Sequence, residues 1–412
     1  MNMSQPPTTA MLATVGRACL AASAALLWWI AACTTHGPSQ QDEALVREFA
    51  AKGYASTEQD PFATETTTWM QSAGQFVSVV VVRPTREGTT PIVIYLPGLG
   101  ESSESGERWH AVWAAAGYAV VSVQLMDEDA NAFRSELARS GEFKALGRQH
   151  YSAGAVHRRT QLLADLVAEG RRRTGAGQAH WQQLDWNKMA VAGFDLGAYT
   201  VMAAAGEQVR DTDDLASRLQ IRAAIALSPY ASIAEGASDD RYRNIRAPVM
   251  SITSDLDTDP LGLVEGAYVR GAPFSHMLGP DKYLLSLRGL PHAGLSGNAA
   301  AEIRSSAHAS KRPQGSGGDD AGQTRRSSRR GGGGGTATGN DVGSGRDRSA
   351  AAGDGAGNGN LTTSELQMRV IAAQQVSTAF LDAYVKDDPL AREWLAADAG
   401  RWLGAAGQLR RK

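Results

Sequence analysis

The fold is decided by the stretch Val191-Ala192-Gly193-Phe194-Asp195-Leu196-Gly197-Ala198-Tyr199. Residues 188–191, Lys-Met-Ala-Val, predict a short buried strand, and residues 199–205 predict the beginning of a helix. The turn between them has two glycines four positions apart, with Asp195 halfway between them. Such a turn holds its central side chain at the edge of a sheet, beside helix N–H groups that favour negative charge. The stretch therefore predicts a functional role for Asp195.

This layout matches a nucleophile elbow, in which a strained G-x-S-x-G turn presents a serine between a strand and a helix. The central serine is replaced here by Asp195. The other groups that such a site needs must therefore be sought in the rest of the chain.

Composition excludes several classes of protein. The chain has 412 residues and a formal net charge of −2, so nothing favours a nucleic-acid partner. Its only cysteines, Cys19 and Cys33, lie near the N-terminus, which excludes a disulfide framework or a cysteine metal site in the body of the protein. Gly98 and Gly100 are not followed by a lysine at the spacing of a P-loop, and no metal-binding cluster is visible. No cofactor and no metal are predicted.

The N-terminus predicts export. Residues 18–32 form an apolar run after Arg17 that is too short for a comfortable transmembrane helix. The run ends in Ile30-Ala31-Ala32-Cys33, which resembles the lipobox of bacterial lipoproteins. The resemblance implies that the signal 1–32 is removed and that Cys33 carries the acyl chains of a stable membrane anchor. The alternatives are an ordinary cleaved signal and a single membrane anchor.

The residue after the lipobox cysteine, Thr34, is not acidic. In enteric bacteria this resembles outer-membrane sorting. The expected localisation is therefore the bacterial cell envelope, with the protein lipid-anchored in the outer membrane and facing the periplasm or the exterior.

Apolar runs separated by helical patterns predict an α/β fold. The run at 92–96 is continuous, as expected for a parallel strand buried on both faces, and the run at 76–82 is rich in β-branched residues. They lie at residues 66–70, 76–82, 92–96, 118–123, 188–191, 221–227, 248–253 and 282–287. The sequence thus predicts a mostly parallel, doubly wound sheet flanked by helices.

The composition changes sharply after the last of these runs. Residues 305–360 contain five consecutive glycines and almost no large apolar residue, so they cannot bury enough surface to become ordered. The predicted organisation is a tether and N-terminal segment at 33–64, a core at 65–304, a disordered Gly/Ser/Arg-rich insertion at 305–360, and C-terminal helices at 361–412 that complete the core domain.

Three polar groups follow successive predicted strands. They are Asp195, an acidic cluster formed by Asp255, Asp257 and Asp259, and His292. Parallel sheets place their ligand sites at this edge. The chain order is that of a nucleophile, an acid and a histidine. The spacing therefore predicts one site at the carboxyl ends of the strands.

These residues give the chain a resemblance to the α/β-hydrolase superfamily. The resemblance covers roughly residues 65–300 and the final helix, and it is carried by four motifs: the turn 95–100, the elbow 193–197, the acid loop 254–260 and Pro291-His292. The chain is most similar to compact members without a large cap: dienelactone hydrolases, platelet-activating-factor acetylhydrolases and cutinase-like enzymes.

The resemblance implies a role for each site residue. The backbone N–H groups of Leu99 and Leu196 form the oxyanion hole. His292 is the base, and Asp257 is the acid that orients it, with Asp255 as the second choice. The expected substrate is a small or lipid-like molecule.

Asp195 leaves three hypotheses open. In the first, the enzyme cleaves an ester or related carboxylic bond, and His292 activates water directly. In the second, Asp195 is a covalent nucleophile, as in haloalkane dehalogenases and epoxide hydrolases, although those enzymes usually carry a cap. In the third, the chain keeps the fold, has lost hydrolysis, and binds a ligand or partner at the cleft.

Overall fold

The computed structural model describes residues 39–70, 76–178, 181–209, 219–231, 239–298 and 361–412. The predicted signal 1–32, Cys33 and the predicted disordered insertion 305–360 lie outside the described residues. The remaining predictions can be compared with the structure.

Within these residues, the strands form a single sheet. The strands are β1 (Phe62–Met70), β2 (Phe76–Pro84), β3 (Thr90–Leu96), β4 (Ala119–Leu125), β5 (Leu184–Phe194), β6 (Ala223–Leu227), β7 (Val249–Ser254), β8 (Lys282–Leu287) and β9 (Gly407–Arg411).

The helices connect these strands and cover the sheet. They are α1 (Gln40–Lys52), α2 (Glu107–Ala115), α3 (Glu136–Arg139), α4 (Phe143–His150), α5 (Ala153–Gly175), α6 (Leu196–Ala205), α7 (Asp239–Tyr242), α8 (Ala272–His276), α9 (Thr363–Tyr384), α10 (Pro389–Ala397) and α11 (Ala399–Leu403). Short 3-10 turns lie at Ala132–Arg134, Ala267–Gly271, His292–Leu295 and Gly404–Ala406.

The strand order is β1-β2-β4-β3-β5-β6-β7-β8-β9. The five pairs from β4–β3 to β7–β8 are parallel. The pairs β1–β2, β2–β4 and β8–β9, at the two edges of the sheet, are antiparallel. Strands β3, β4, β6 and β7 are buried along their whole length. This burial explains their continuous apolar sequence. The predicted α/β class with a large, mostly parallel sheet is confirmed.

Helices cover both faces of the sheet. On one face, Trp109 and Trp113 of α2 pack in the same core cluster as Val376 and Phe380 of α9. On the other face, the cluster contains apolar side chains of α5 and α6. The chain beyond the predicted insertion therefore contributes a helix to the sheet's own core.

Two elements were not predicted from the sequence. Strand β9 adds to the free edge of β8 through backbone hydrogen bonds, and its five residues include a single large apolar side chain, Leu409. Helix α1 begins at Gln40, inside the segment expected to be a tether, and is mostly polar. Its Phe49 stacks on Trp402, with ring centroids 4.5 Å apart. Both elements are fixed by distant partners, which a local pattern does not reveal.

Within the described ranges, no helix combines the length and apolar character needed to cross a membrane.

Candidate functional site

The sheet topology brings together the residues that follow its parallel strands. The turn after β3 and the elbow after β5 are neighbours because these two strands pair directly. Strands β6, β7 and β8 then follow in order. Ser228, Asp257 and His292 come after them, at the same edge of the sheet as Asp195. The residues predicted from the sequence are thus assembled at one edge.

Asp195 occupies a strained turn. Its backbone angles are φ 50° and ψ −106°, a conformation that costs energy for a residue with a side chain. The turn is held where the Asp195 N–H donates to the Leu227 carbonyl at 3.0 Å. A Cβ on Gly197 would overlap the carbonyl oxygen of Leu96, so the elbow helix packs directly on the end of β3. This close approach explains why the turn needs glycine at that position.

The acid and the histidine form a buried pair. Nδ1 of His292 lies 2.7 Å from an Asp257 carboxylate oxygen, and the Asp257 side chain has no exposed surface. Thr253 donates to the other carboxylate oxygen at 2.7 Å. With Nδ1–H donated to Asp257, the remaining ring nitrogen, Nε2, is free to accept a proton.

Each member of this pair stabilises the charged form of the other. Burial alone would raise the pKa of Asp257, but the hydrogen bond from His292 and the charge of Arg270 hold it below its ordinary value. Burial alone would lower the pKa of His292, but the hydrogen bond to Asp257 and the charge of Asp195 raise it above its ordinary value.

Arg270 contacts the acid of this pair and the turn after β6. Its side chain is buried, and its guanidinium donates to the carbonyl oxygens of Asp257 and Ser228 at 3.0 Å each. Its Nε also lies 3.2 Å from the Asp257 carboxylate. A buried arginine without such partners would be costly, so these contacts fix the acid loop against the end of β6.

Asp255, the second choice for the acid, does not contact His292. It is exposed, and its carboxylate accepts the Gly289 N–H at 2.6 Å. It thus stabilises the turn after β8. The geometry favours Asp257.

Ser228 lies in the turn after β6, with φ 58°. Its hydroxyl has a further role. It donates to Asp257 at 2.8 Å and lies 3.1 Å from Nδ1 of His292. Because this contact is on the Nδ1 side, the hydroxyl steadies the pair and does not act as a nucleophile for Nε2.

The turn after β3 leaves backbone N–H groups available. Among the described residues, nothing accepts the N–H of Leu99. Leu196 is the first residue of α6, so its N–H has no acceptor within the helix. Gln124 holds the turn from β4 by donating to the carbonyls of Gly98 and Glu101, at 3.1 Å each. These are the two N–H groups expected to form the oxyanion hole.

Tyr151 lies against the elbow from the segment between β4 and α5. Burial and the charge of Asp195 raise its pKa well above the ordinary value, so the phenol keeps its proton. Tyr199 and Tyr230 pack on it, with ring centroids 6.0 and 4.9 Å away. Three tyrosine rings therefore pack together beside the elbow.

Glu101 is a second acidic side chain at the oxyanion turn. One carboxylate oxygen accepts the Gly98 N–H at 2.8 Å, and the other accepts the side-chain amide of Asn298 at 2.7 Å. Burial raises the pKa of Glu101 to about 7, and the negative charge of Asp195 adds to the rise. Ser228, Tyr151 and Glu101 were not predicted from the sequence as functional residues. The only local signal was Glu101's position directly after the Pro-Gly-Leu-Gly turn.

No group of three or more His, Cys, Asp and Glu side chains in the described parts of the chain is arranged to hold a metal ion. No protein-family model matches the chain, and no curated protein matches it. Any functional assignment therefore depends on the geometry of the site itself.

Proposed function

We propose that the protein is a hydrolase with the α/β-hydrolase fold that acts on an ester or related carboxylic bond. The observation that carries the proposal is the buried Asp257–His292 pair, 2.7 Å apart, at the sheet edge that also holds the Asp195 elbow. The strand order supports it, because the sheet brings an elbow, an acid and a histidine together in the sequence order expected of that fold.

The proposed reaction begins with a water molecule between His292 and the substrate carbonyl carbon. Nε2 of His292 takes a proton from the water as the new carbon–oxygen bond forms. Asp257 stabilises the resulting imidazolium and holds the ring in place. The N–H groups of Leu99 and Leu196 stabilise the negative oxygen that develops on the substrate. Collapse of this intermediate expels the alcohol, which takes the proton back from His292.

Asp195 has two opposing effects in this reaction. As a hydrogen-bond acceptor it orients the water toward the substrate, and its charge raises the pKa of His292, which makes the base stronger. The same charge repels the developing oxyanion. The proposal therefore predicts a slower enzyme than one with serine in the elbow.

A second candidate uses Asp195 as a covalent nucleophile. Its carboxylate displaces a leaving group from an sp³ carbon and forms an alkyl ester, which water activated by His292 then hydrolyses. Tyr151 favours this candidate, because a protonated phenol beside the nucleophile is a suitable proton donor for a leaving oxygen such as that of an epoxide. In this route the oxyanion forms on Asp195 itself, so no charge repulsion arises.

A single turnover in heavy-oxygen water separates the two routes. After turnover of an ester, we expect no label in the Asp195 carboxylate, because water attacks the substrate directly. The measurement is mass analysis of the peptide that contains Asp195. Label at Asp195 would establish covalent catalysis, and the absence of turnover on ester, epoxide and haloalkane panels would contradict both routes. Unlabelled water is the control for background exchange.

We also propose that the protein is attached to the bacterial cell envelope through lipid on Cys33. Replacing Cys33 with serine should move the protein from the membrane fraction to the soluble fraction, because the thiol is the acylated group. The measurement is fractionation followed by immunoblotting. Cys19→Ser is the matched control and should leave the distribution unchanged. Continued membrane association of Cys33→Ser would contradict the anchor.

A further inference from the structure

The residues of one buried ion pair contact both elements that carry the proposed oxyanion N–H groups. The pair consists of Glu128, three residues after β4, and Arg159 of α5. Nη1 of Arg159 lies 2.8 Å from a carboxylate oxygen of Glu128. The Glu128 side chain has no exposed surface, and that of Arg159 is 6% exposed. The pair therefore lies inside the fold and cannot act on a substrate by direct contact.

Glu128 holds the turn after β3. Its carbonyl oxygen accepts the Gly100 N–H at 2.8 Å, directly after Leu99. On the other side of Leu99, the side chain of Gln124 donates to the Gly98 carbonyl at 3.1 Å. This carbonyl and the Leu99 N–H belong to one planar peptide group, so holding the oxygen also orients the N–H. Residues at the end of β4 thus fix the first donor from both sides.

Arg159 holds the helix that begins at the elbow. Its Nε donates to the hydroxyl of Thr200 at 2.7 Å, and that hydroxyl donates to the Leu196 carbonyl at 3.3 Å. Thr200 is fully buried, and Leu196, the first residue of α6, carries the second donor. Nη1 of Arg159 also donates to the His150 carbonyl at 2.9 Å, next to the tyrosine that packs beside the elbow. The ion pair therefore connects the two donors by a continuous series of hydrogen bonds.

Stability alone does not account for this pair. The second carboxylate oxygen of Glu128 and the second Nη of Arg159 are buried, and neither has a hydrogen-bond partner among the described residues. Unpartnered polar atoms are costly to remove from water. A buried ion pair is often no more stabilising than apolar side chains of similar volume. Apolar side chains could not reproduce the guanidinium fork, which holds Glu128 and Thr200 in fixed directions at the same time.

Strand pairing ends before the two donors. The register of β3 with β5 extends to Leu96 and Gly193, which lie three residues before Leu99 and Leu196. Beyond that point one segment becomes a turn and the other becomes α6. An oxyanion hole needs both donors within hydrogen-bond distance of one oxygen. An error of about 1 Å in such an arrangement can cost about 100-fold in rate.

We propose that Glu128 and Arg159 are positioning residues, whose ion pair fixes the distance between the two N–H groups of the proposed oxyanion hole. They act through Gly100 and Thr200, the residues that they hold. This role rests on the proposed hydrolysis and deepens it, because the distance matters for catalysis only when an oxygen becomes negative between the two donors.

The first experiment follows the two N–H groups and needs no activity. In protein labelled with nitrogen-15 leucine, the amide signals of Leu99 and Leu196 are identified by their loss in Leu99→Met and Leu196→Met. We expect Thr200→Val to shift the Leu99 signal as well as the Leu196 signal, because the ion pair transmits the change. In the Arg159→Met protein, Thr200→Val should leave the Leu99 signal in place, since the connection is already broken. A Leu99 signal that ignores Thr200→Val would overturn the proposal.

The second experiment compares two replacements of Thr200 by their ester hydrolysis. Thr200→Val keeps the shape of the side chain and loses the hydroxyl, whereas Thr200→Ser keeps the hydroxyl and loses a methyl group. We expect kcat to fall about tenfold in Thr200→Val with KM nearly unchanged, because the donors act on the transition state. Thr200→Ser should stay within about twofold of wild type, since its hydroxyl can still accept from Arg159. Equal kcat values in the two variants would contradict the positioning role.

The third experiment removes the ion pair as a unit. Glu128→Met combined with Arg159→Met leaves no lone buried charge, so the unfolding temperature should stay close to that of wild type. We expect kcat to fall by about tenfold or more while KM changes little. The matched control is Glu169→Met combined with Arg172→Met, which removes an exposed pair of the same helix, 2.7 Å apart, and should leave kcat unchanged.

The outcomes distinguish the possible failures. If the double replacement of the buried pair keeps the wild-type kcat, the positioning role is wrong even though the protein hydrolyses esters. If that double variant does not fold, the two Thr200 variants decide, because they keep the ion pair. If the amide signals respond as expected but no ester is turned over, the connection between the donors is supported and the proposed hydrolysis fails.

Discussion

Asp195→Ser should raise the rate of ester hydrolysis by about 100-fold. The substitution places a hydroxyl nucleophile in an elbow that already has a base, His292, and two N–H groups for the oxyanion. It also removes the negative charge of Asp195, which repels the developing oxyanion. Two unit charges about 4 Å apart repel by roughly 4 kcal/mol at the effective dielectric of a protein surface. Each ~1.4 kcal/mol in the barrier is a tenfold change in rate. The measurement is kcat/KM on a neutral ester series for both proteins.

Matched variants separate the two causes of this gain. Asp195→Asn removes the charge without adding a nucleophile, so it should give a smaller gain than Asp195→Ser. Adding His292→Ala to Asp195→Ser should abolish the gain, because the hydroxyl then lacks its base. A phosphonate ester should label position 195 covalently only in Asp195→Ser. A correctly folded but inert Asp195→Ser would count against the assigned oxyanion hole or base.

The repeating parts of the fold could be predicted because they depend on local sequence patterns. Strand β8 has the predicted bounds, 282–287, because its mostly apolar sequence is preceded by Gly279-Pro280 and followed by Arg288-Gly289. Strand β5 runs from Leu184, earlier than its apolar run at 188–191, because its first residues pair with β3 despite being polar in part. Backbone pairing thus extends a strand beyond its apolar signal.

The site could be predicted in part for the same reason. Asp195 follows β5 directly, and Asp257 and His292 lie in the loops just after β7 and β8, so strand prediction places them at one edge. Tyr151, Ser228 and Glu101 could not be assigned in this way. Tyr151 reaches Asp195 from the connection between β4 and β5, and the role of Ser228 depends on contacts with two other loops. Such contacts depend on how the loops fold over the edge of the sheet, which periodicity does not encode.

His292→Ala should lower the rate of ester hydrolysis by about 1,000-fold, since general bases typically contribute between ~10² and ~10⁴. Asp257→Asn should approach the same loss, because it disrupts the hydrogen bond that fixes the imidazole. The pH profile gives a second readout. The base must be neutral, and the pKa of His292 is raised, so the rate should rise with pH through a midpoint above 6.5. Asp195→Asn should move this midpoint down, because the charge that helps to raise the pKa is removed.

Asp255→Asn is the matched control for the acid loop. It changes an acidic residue two positions from Asp257, yet it keeps an oxygen that can accept the Gly289 N–H. We expect its rate to stay within about twofold of wild type, since substitutions of exposed residues that leave their contacts intact have small effects. If Asp255→Asn were inactive and Asp257→Asn active, the acid would be Asp255. The buried geometry argues against that result because, of these two acids, it is Asp257 that lies within hydrogen-bond distance of the imidazole.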